Sequence, residues 1–533
     1  MYLQILNHYL QCMKTGFLLF ALLILFNTIC LTQPKYEFRG VWIATVDNID
    51  WPTRGNYEAD SQKAEFIRLL DMHHRNGMNA VIVQIRPSTD ALYPSSLEPW
   101  SEWLTGKQGR PPSPYYDPLQ FMIEETHKRG MEFHAWCNPY RAEFQLGKSS
   151  IAASHITRIH PEWFLDYGGK RYFDPGNKEA QQFVVKVIGD IVKRYDIDAI
   201  HFDDYFYPYR IQGMEFPDQA SYSKYGGGMS KDDWRRSNVD SVILMLSRVI
   251  KEEKPDCQFG ISPFGVWRNK TNDSLGSDTH AGQTNYDDLY ADILLWLKLG
   301  WIDYVAPQLY WEFGHRAAPF EILLNWWSQN CYGKHCYIGL GIFKAGSNAA
   351  WRDRNLIPKQ IRSIRNLPAV QGEIYFSSKS FETNPNGWAD TLKNNYYSHP
   401  ALIPPMPWID SIKPSTPLVQ LVTNANYYSN AFNKISITSA VKEERIKGFA
   451  IYISPSLSED EKENMPPIDI IPSMDSAQYE LTDLLNRIKD FTGRELFAGF
   501  TSISRNNNES GLSNLLHLVR KDEKSPWQLE AIQ

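Results

Sequence analysis

"AIHFDDYFYPY", residues 199–209, opens as an apolar β-strand and closes on two adjacent aspartates followed by aromatic rings. A strand buried only for packing would not end this way, because desolvating a carboxylate is costly unless the group is paired or used. Seven more β-rich runs recur along the chain: "FRGVWIATV" (38–46), "AVIVQIRP" (80–87), "EFHAWCNPYR" (132–141), "QFGISPFGVW" (258–267), "YVAPQLYWEF" (304–313), "YIGLGIFKA" (337–345) and "GEIYFSSKSF" (372–381). Longer amphipathic segments separate them, among them 61–77, 118–130 and 286–300, each closing on a glycine, a common helix stop. Eight β–α units whose hydrophobic strands do not alternate cleanly predict an α/β fold, a TIM-type (β/α)8 barrel over residues 35–400. A doubly wound sheet would need a phosphate-binding glycine loop after its first strand, and "VDNIDWPTRGN" is not one.

Both flanks differ in character. "HPALIPPMPWIDSIKPSTP" (399–417) is a proline-rich boundary. Beyond it, "KISITSA", "IKGFAIYIS" and "ELFAGFTSIS" read as short strands with turn signals, predicting a fibronectin type III-like β-sandwich over 410–525. At the other end, residues 1–31 read as an extension and secretion signal, with Met13 as start, Lys14 as the basic residue and an apolar run from Phe17 to Phe26. The expectation is an exported protein of the periplasm or cell envelope. Cys30 is the candidate for a lipid anchor, the only membrane contact foreseen. Of the remaining cysteines, Cys137 and Cys257 fall in predicted strands as small hydrophobes, while Cys331 and Cys336 in "CYGKHC" could pair in an oxidising compartment. No spacing suggests zinc, and no metal or cofactor is expected.

A net charge of −6 argues against nucleic acid, which demands a basic surface. The 17 tryptophans and 29 tyrosines exceed what cores need, and flat rings suit a ligand with apolar faces and hydroxyl edges, such as a sugar. In a TIM barrel such a ligand is met at the carboxyl ends of the strands. Residues two apart on a strand share a face. That alternation aims His201 and Asp203 into the mouth and leaves Asp204 at the rim, to orient a neighbour or cap the following turn. It likewise groups Gln84 with Arg86, Asp90 lying just beyond, and groups His134, Trp136 and Asn138, with Tyr140 and Arg141 following. On the sixth strand it groups Gln308, Tyr310 and Glu312 beside Trp311.

Two carboxylates across an aromatic mouth are what glycoside hydrolysis needs. Asp203, near His134, His201 and Arg86, is assigned as the ionised nucleophile or electrostatic stabiliser. Glu312, flanked in sequence by Trp311 and Phe313, is the first candidate for the acid, with Asp204, Glu143 and Asp90 as alternatives; Glu373 lies too early in its strand to reach the mouth. Arg86, Asn138, Tyr140, Gln308 and Tyr310 would hold sugar hydroxyls, and Trp136 and Trp311 would stack on ring faces. "HFDDY" is close to the "TFDDG" of polysaccharide deacetylases, but no histidine pair follows to hold the metal that chemistry uses. A non-catalytic carbohydrate-binding barrel is the alternative from another class.

The motifs "FRGVWIATVDNIDWP", "VIVQIRPSTDALYPS", "HAWCNPYR", "IHFDDYFYPY" and "IDYVAPQLYWEFG" carry a resemblance to the glycosyl-hydrolase-like family 10 over roughly residues 35–350. The resemblance implies a TIM barrel related to glycoside hydrolases, exported bacterial proteins that are often lipoproteins, and trailing accessory domains. It implies cell-wall glycan as substrate, notably peptidoglycan strands stripped of peptides. Asp203 and Asp204 match its strand-four motif, Arg86 and Asp90 its strand-two motif, Asn138 and Arg141 its strand-three motif. Gln308, Tyr310 and Trp311 match strand six.

Overall fold

The computed structural model describes residues 33–423, 432–441, 445–473 and 476–532; the signal and Cys30 lie outside them. Eight parallel strands close a barrel: β1 (Phe38–Ile43), β2 (Ala80–Arg86), β3 (Glu132–Cys137), β4 (Ala199–Phe202), β5 (Gln258–Ile261), β6 (Tyr304–Val305), β7 (His335–Leu340) and β8 (Gly372–Tyr375). All eight fall inside the sequence-predicted runs or within two residues of them, and each ends earlier than predicted. β6 is cut shortest, since Pro307 has no N–H to extend the ladder, and Gln308 rejoins the sheet only through isolated bridges to Phe264 and Gly339. Helices stop where the glycines stand: Ala59–Arg75 runs into Gly77 at φ 78°, and Pro118–His127 into Gly130 at φ 68°, backbone that glycine adopts without steric cost.

Side chains sort by parity. On β4, Ile200 and Phe202 pack outward with the helices, alongside Phe133, Ala135 and Cys137 of β3. Ala199 of β4 and Trp136 of β3 share the barrel interior with Phe38, Trp42, Tyr304 and Tyr337. The loop after β3 carries a small antiparallel sheet built from Arg141–Glu143, Phe164–Tyr167 and Lys170–Phe173.

Beyond the proline-rich boundary lie two antiparallel sheets. One joins β9 (Leu418–Thr423), β10 (Phe432–Thr438) and β13 (Ser476–Glu480); the other joins β11 (Ile446–Ser454), β12 (Asp469–Pro472), β14 (Glu495–Ser504), β15 (Leu516–Val519) and β16 (Gln528–Ile532). Ile435 and Ile437 from the first sheet share a core with Phe449, Ile451, Phe500 and Leu516 from the second, as a sandwich requires.

This second unit docks on the amino-terminal face of the barrel. Lys447 Nζ and Asn507 Nδ2 each reach Glu132 Oε1 at 2.9 Å, where β3 begins. Arg505 pairs with Asp198 at 3.2 Å, just before β4, and Arg445 with Asp256 at 2.6 Å, before β5. The opposite face, where the strands end, is thereby left to the loops.

Candidate active site

A column of hydrogen bonds crosses the barrel interior beneath the mouth. Trp42 Nε1 lies 3.2 Å from His201 Nε2, and His201 Nδ1 lies 2.9 Å from the Tyr304 hydroxyl. The same hydroxyl is 2.8 Å from His134 Nδ1, and His134 Nε2 is 3.0 Å from Glu132 Oε2. An indole can only donate, so His201 Nε2 accepts and His201 Nδ1 carries the proton; Tyr304 then donates to His134, which donates to Glu132. Burial first, then the neighbouring His134, hold His201 well below the ordinary histidine range, so it stays neutral. At the foot of the column burial raises Glu132, but Lys447 and the His134 hydrogen bond outweigh it and bring the carboxyl down to about 2.

One turn above, the backbone of β4 delivers Asp203. Its carboxylate accepts from Trp136 Nε1 at 3.0 Å and from Asn138 Nδ2 at 3.2 Å, with the Tyr205 N–H at 3.4 Å. Asn138 is itself fixed, because its Oδ1 accepts the N–H of Arg141 at 2.8 Å and of Tyr140 at 3.3 Å. Burial raises Asp203 above the usual aspartate range, while the Arg141 charge and the Trp136 and Asn138 hydrogen bonds pull it back. The cation facing Asp203 is thus Arg141, not Arg86 or a histidine.

Asp204 is different in kind. Burial first, and the adjacent Asp203 charge second, push it up to about 7. The Tyr209 hydroxyl donates to its Oδ2, and Gln308 adds a further hydrogen bond. Burial raises both aspartates, but Asp203 has the Arg141 charge opposing the rise while Asp204 has the Asp203 charge adding to it, which makes Asp204 the better suited of the two to hold a proton near neutrality.

The model of the family described as Glycosyl hydrolase-like 10 matches residues 37–353. This chain belongs to that family. Over 398 residues it is 50% identical to "Glycosyl hydrolase YngK" of Bacillus subtilis (strain 168), covering 73% of this chain and 78% of the relative. It is 38% identical over 370 residues to "Glycosyl hydrolase DigH" of Escherichia coli (strain K12), covering 64% and 83%. Among solved structures, the PgaB (BpsB) glycoside hydrolase domain from Bordetella bronchiseptica is similar at 14% identity and a TM-score of 0.41, over 67% of this chain and 98% of that one.

Within this glycosyl hydrolase-like 10 barrel, several residues stand elsewhere than the sequence pattern places them. A bulge between Gln84 and Arg86 breaks the alternation on β2. Arg86 therefore turns away from the mouth into a buried pair with Glu98, Nη2 to Oε1 at 2.5 Å, and donates through Nη1 to the Asn138 carbonyl. It is fully buried and holds the end of β3. Asp90 is fully buried in its loop, accepting from Ser88 N at 3.1 Å and Gln108 Nε2 at 3.3 Å, with burial raising it to about 7. Tyr140 is core, only 2% exposed. His134 and His201 face inward as predicted, but both are spent in the column.

Glu312 is the largest correction. The alternation that aimed it stops with β6 at Val305, and its spatial neighbours are not its sequence neighbours. Half-buried at the rim, it accepts from Trp351 Nε1 at 2.9 Å and Asn348 Nδ2 at 3.2 Å. Burial raises it, but its backbone and Trp351 hydrogen bonds, with His315 and Asn348, together outweigh that rise and leave it below the ordinary glutamate range, the reverse of what a general acid needs. Glu143 is likewise committed, paired with Arg171 at 2.7 Å.

Tyr209, Trp42, Phe343 and Phe376 are the site residues that the sequence reading passed over. Trp42 and Phe376 rings stand 6.1 Å apart, Phe376 and Phe343 5.7 Å, Tyr310 and Phe343 5.6 Å, forming one aromatic wall at the carboxyl ends of β1, β8 and β7. Phe343 is 52% exposed and forms the open edge of this wall. Trp311 is half-buried with its ring 5.4 Å from Phe264. Tyr209 was present in the opening stretch, five residues after Asp204, but no periodicity marks it. Among the described residues no group of His, Cys, Asp and Glu is arranged to hold a metal ion. Cys331 and Cys336, like Cys137 and Cys257, are buried free thiols.

Proposed function

We propose that this protein is an exported glycoside hydrolase of the bacterial cell envelope, with peptide-free peptidoglycan glycan strands as its leading substrate. The observation that carries the reading is the Asp203–Asp204 pair: adjacent buried carboxyls at one strand end beside an aromatic wall, Asp203 facing Arg141 and Asp204 bearing the Asp203 charge. Asp204 donates its proton to the glycosidic oxygen as the bond to the anomeric carbon breaks. Asp203, fixed by Trp136 and Asn138, faces the positive charge that develops on the sugar. Water then supplies hydroxide to that carbon, and its proton restores Asp204. Tyr310 and Phe343 offer faces to the sugar, and Gln308 and Arg141 offer donors. The names borne by the two relatives, each a glycosyl hydrolase, support the same class of reaction. Export rests on residues 13–31 of the sequence, and anchoring on Cys30.

A buried carboxyl raised to about 7 beside a second carboxyl favours an enzyme over a barrel that only binds carbohydrate. The test is release of reducing ends from peptide-free glycan strands and a polysaccharide panel, comparing wild type with Asp203→Asn. Release by wild type and none by a folded, still-binding variant supports the hydrolase. Binding of one glycan by both, with no release by either, overturns it.

A further inference from the structure

We infer that Arg141 and Lys170, on the small sheet that follows β3, form a carboxylate-binding subsite beside Asp203, and that the glycan taken there carries a free acidic substituent. This names the chemistry of the sugar, and it rests on the hydrolase reading for the mouth in which that sugar lies.

Both cations converge on one ring. Arg141 opens one strand of the small sheet and Lys170 another, and the two strands pair with Arg141 opposite Tyr172. The Phe144 ring follows the first of them, its centroid 4.0 Å from Lys170 Nζ and 5.6 Å from the Arg141 guanidinium carbon. The same guanidinium is 5.3 Å from the Tyr205 ring, and the Tyr205 N–H reaches Asp203 Oδ1 at 3.4 Å. Rings continue outward, with Trp103 edge-on to Phe144 at 5.7 Å. Tyr205, Phe144 and Trp103 are half-buried rather than sealed in the core, as is Lys170. Half-buried rings interleaved with cations offer flat contact to a sugar and charge to a substituent on it.

The cations are held in place but not spent. Arg141 donates its N–H to Asn138 Oδ1 at 2.8 Å, accepts the Thr89 hydroxyl at its carbonyl at 2.8 Å, and donates Nε to the Pro87 carbonyl at 3.0 Å. The residue is only 6% exposed, yet its two Nη nitrogens make no hydrogen bond within the protein and are not among the atoms sealed without a partner in the core. Lys170 Nζ donates to the Phe144 carbonyl at 2.9 Å, which leaves two of its three donors. Among the described residues neither cation forms an ion pair with a carboxylate. The acids nearby are engaged elsewhere: Asp47 with Arg54, Glu143 with Arg171 at 2.7 Å, and Glu102 with the Ser150 N–H at 2.8 Å. Asp203, which Arg141 faces, takes its side-chain hydrogen bonds from Trp136 and Asn138. Burial first and then the Arg141 charge lower Lys170 below the ordinary lysine range, the mark of two like charges with no anion between them. A guanidinium with both outer nitrogens free matches the two oxygens of a carboxylate. A dianion such as phosphate would be repelled more strongly by Asp203 and Asp47 than a single negative charge is. In peptidoglycan that single charge is the lactyl carboxylate of muramic acid, free only where no peptide is joined to it as an amide. A uronic acid presents the same group.

The experiment is calorimetric titration of glycans of equal length into Asp204→Asn, which reads binding without cleavage. The ligands are a peptide-free muramic acid strand, the same strand with its carboxyl converted to a methyl amide, a chitin oligosaccharide and an oligouronide. The free carboxylate should bind about tenfold tighter than its amide, and Lys170→Gln, which keeps a donor for the Phe144 carbonyl, should bring the two within about twofold. Lys170→Arg should restore the difference, and the KM of the active protein should show the same ratio. Arg141 is left intact, because its loss would also disturb Asp203. An oligouronide bound more tightly than the strand keeps the subsite and moves the substrate away from peptidoglycan. A carboxylate preference without turnover by wild type leaves the subsite standing and refutes the hydrolase reading; turnover with equal affinity for strand and amide does the reverse. Lys170→Gln weakening both forms alike, or no binding of any of these glycans, would also overturn the subsite.

Discussion

Replacing Tyr209 by phenylalanine isolates the acid. The Tyr209 hydroxyl donates to Asp204 Oδ2 and so favours its ionised form, opposing the burial and the Asp203 charge that raise the group to about 7. Asp204 acts while protonated, so wild-type activity should be full below that value and decline as pH rises through it. Without the phenol the proton is held more tightly and the decline must move upward. A hydrogen bond to a charged group is worth roughly 1.5–3 kcal/mol, or about 1–2 pKa units at about 1.4 kcal/mol each. Tyr209 is only half-buried, which puts the expected shift near the lower figure, about one unit. The assay is kcat/KM against pH for both proteins on the same glycan, which reports free-enzyme ionisations. The alkaline limb should rise by about one unit and the acid limb, set by Asp203, should hold. An alkaline limb that stays in place or moves down would refute Asp204 as the titrating acid.

Three further outcomes follow from the same geometry. Asn138→Ala removes a donor from Asp203 and the acceptor that fixes the Arg141 and Tyr140 N–H groups; kcat should fall by about 10²-fold with little change in KM, read by steady-state kinetics. Glu312→Gln keeps an acceptor for Trp351 and Asn348 and should leave kcat and its pH profile unchanged; a profile that loses its alkaline limb would restore Glu312 as the acid. Arg86→Leu strands the Glu98 carboxylate in a fully buried site, and denaturant unfolding should show a loss of about 3–5 kcal/mol.

What the sequence disclosed, and what it did not, divides at the ends of the strands. Where both faces of a strand are buried, apolar residues must run together, and "AVIVQI" or "EFHAWC" can hardly be read otherwise; all eight strand starts were legible for this reason. Parity then placed His201, Asp203, His134 and Trp136 inward correctly. Parity holds only while the ladder does. A bulge of one residue re-aimed Arg86, and the missing N–H of Pro307 ended β6 before Glu312, whose setting is made by Trp351 and Asn348 from some forty residues away. Tyr209 lies in a loop where no period exists to betray it. The fate of the inward histidines was also hidden, because their partner Tyr304 is more than a hundred residues from either.

The division of labour between adjacent aspartates is the central claim, and leaving-group dependence tests it most directly. Asp204→Asn and wild type are compared on a glycan strand and on the corresponding aryl glycoside, whose phenolate departs without a proton. Asp204→Asn should lose turnover of the glycan by several orders of magnitude yet keep much of its activity on the aryl glycoside, while Asp203→Asn should lose both. Equal losses by Asp204→Asn on the two substrates would contradict it, as would a variant that still cleaves the glycan.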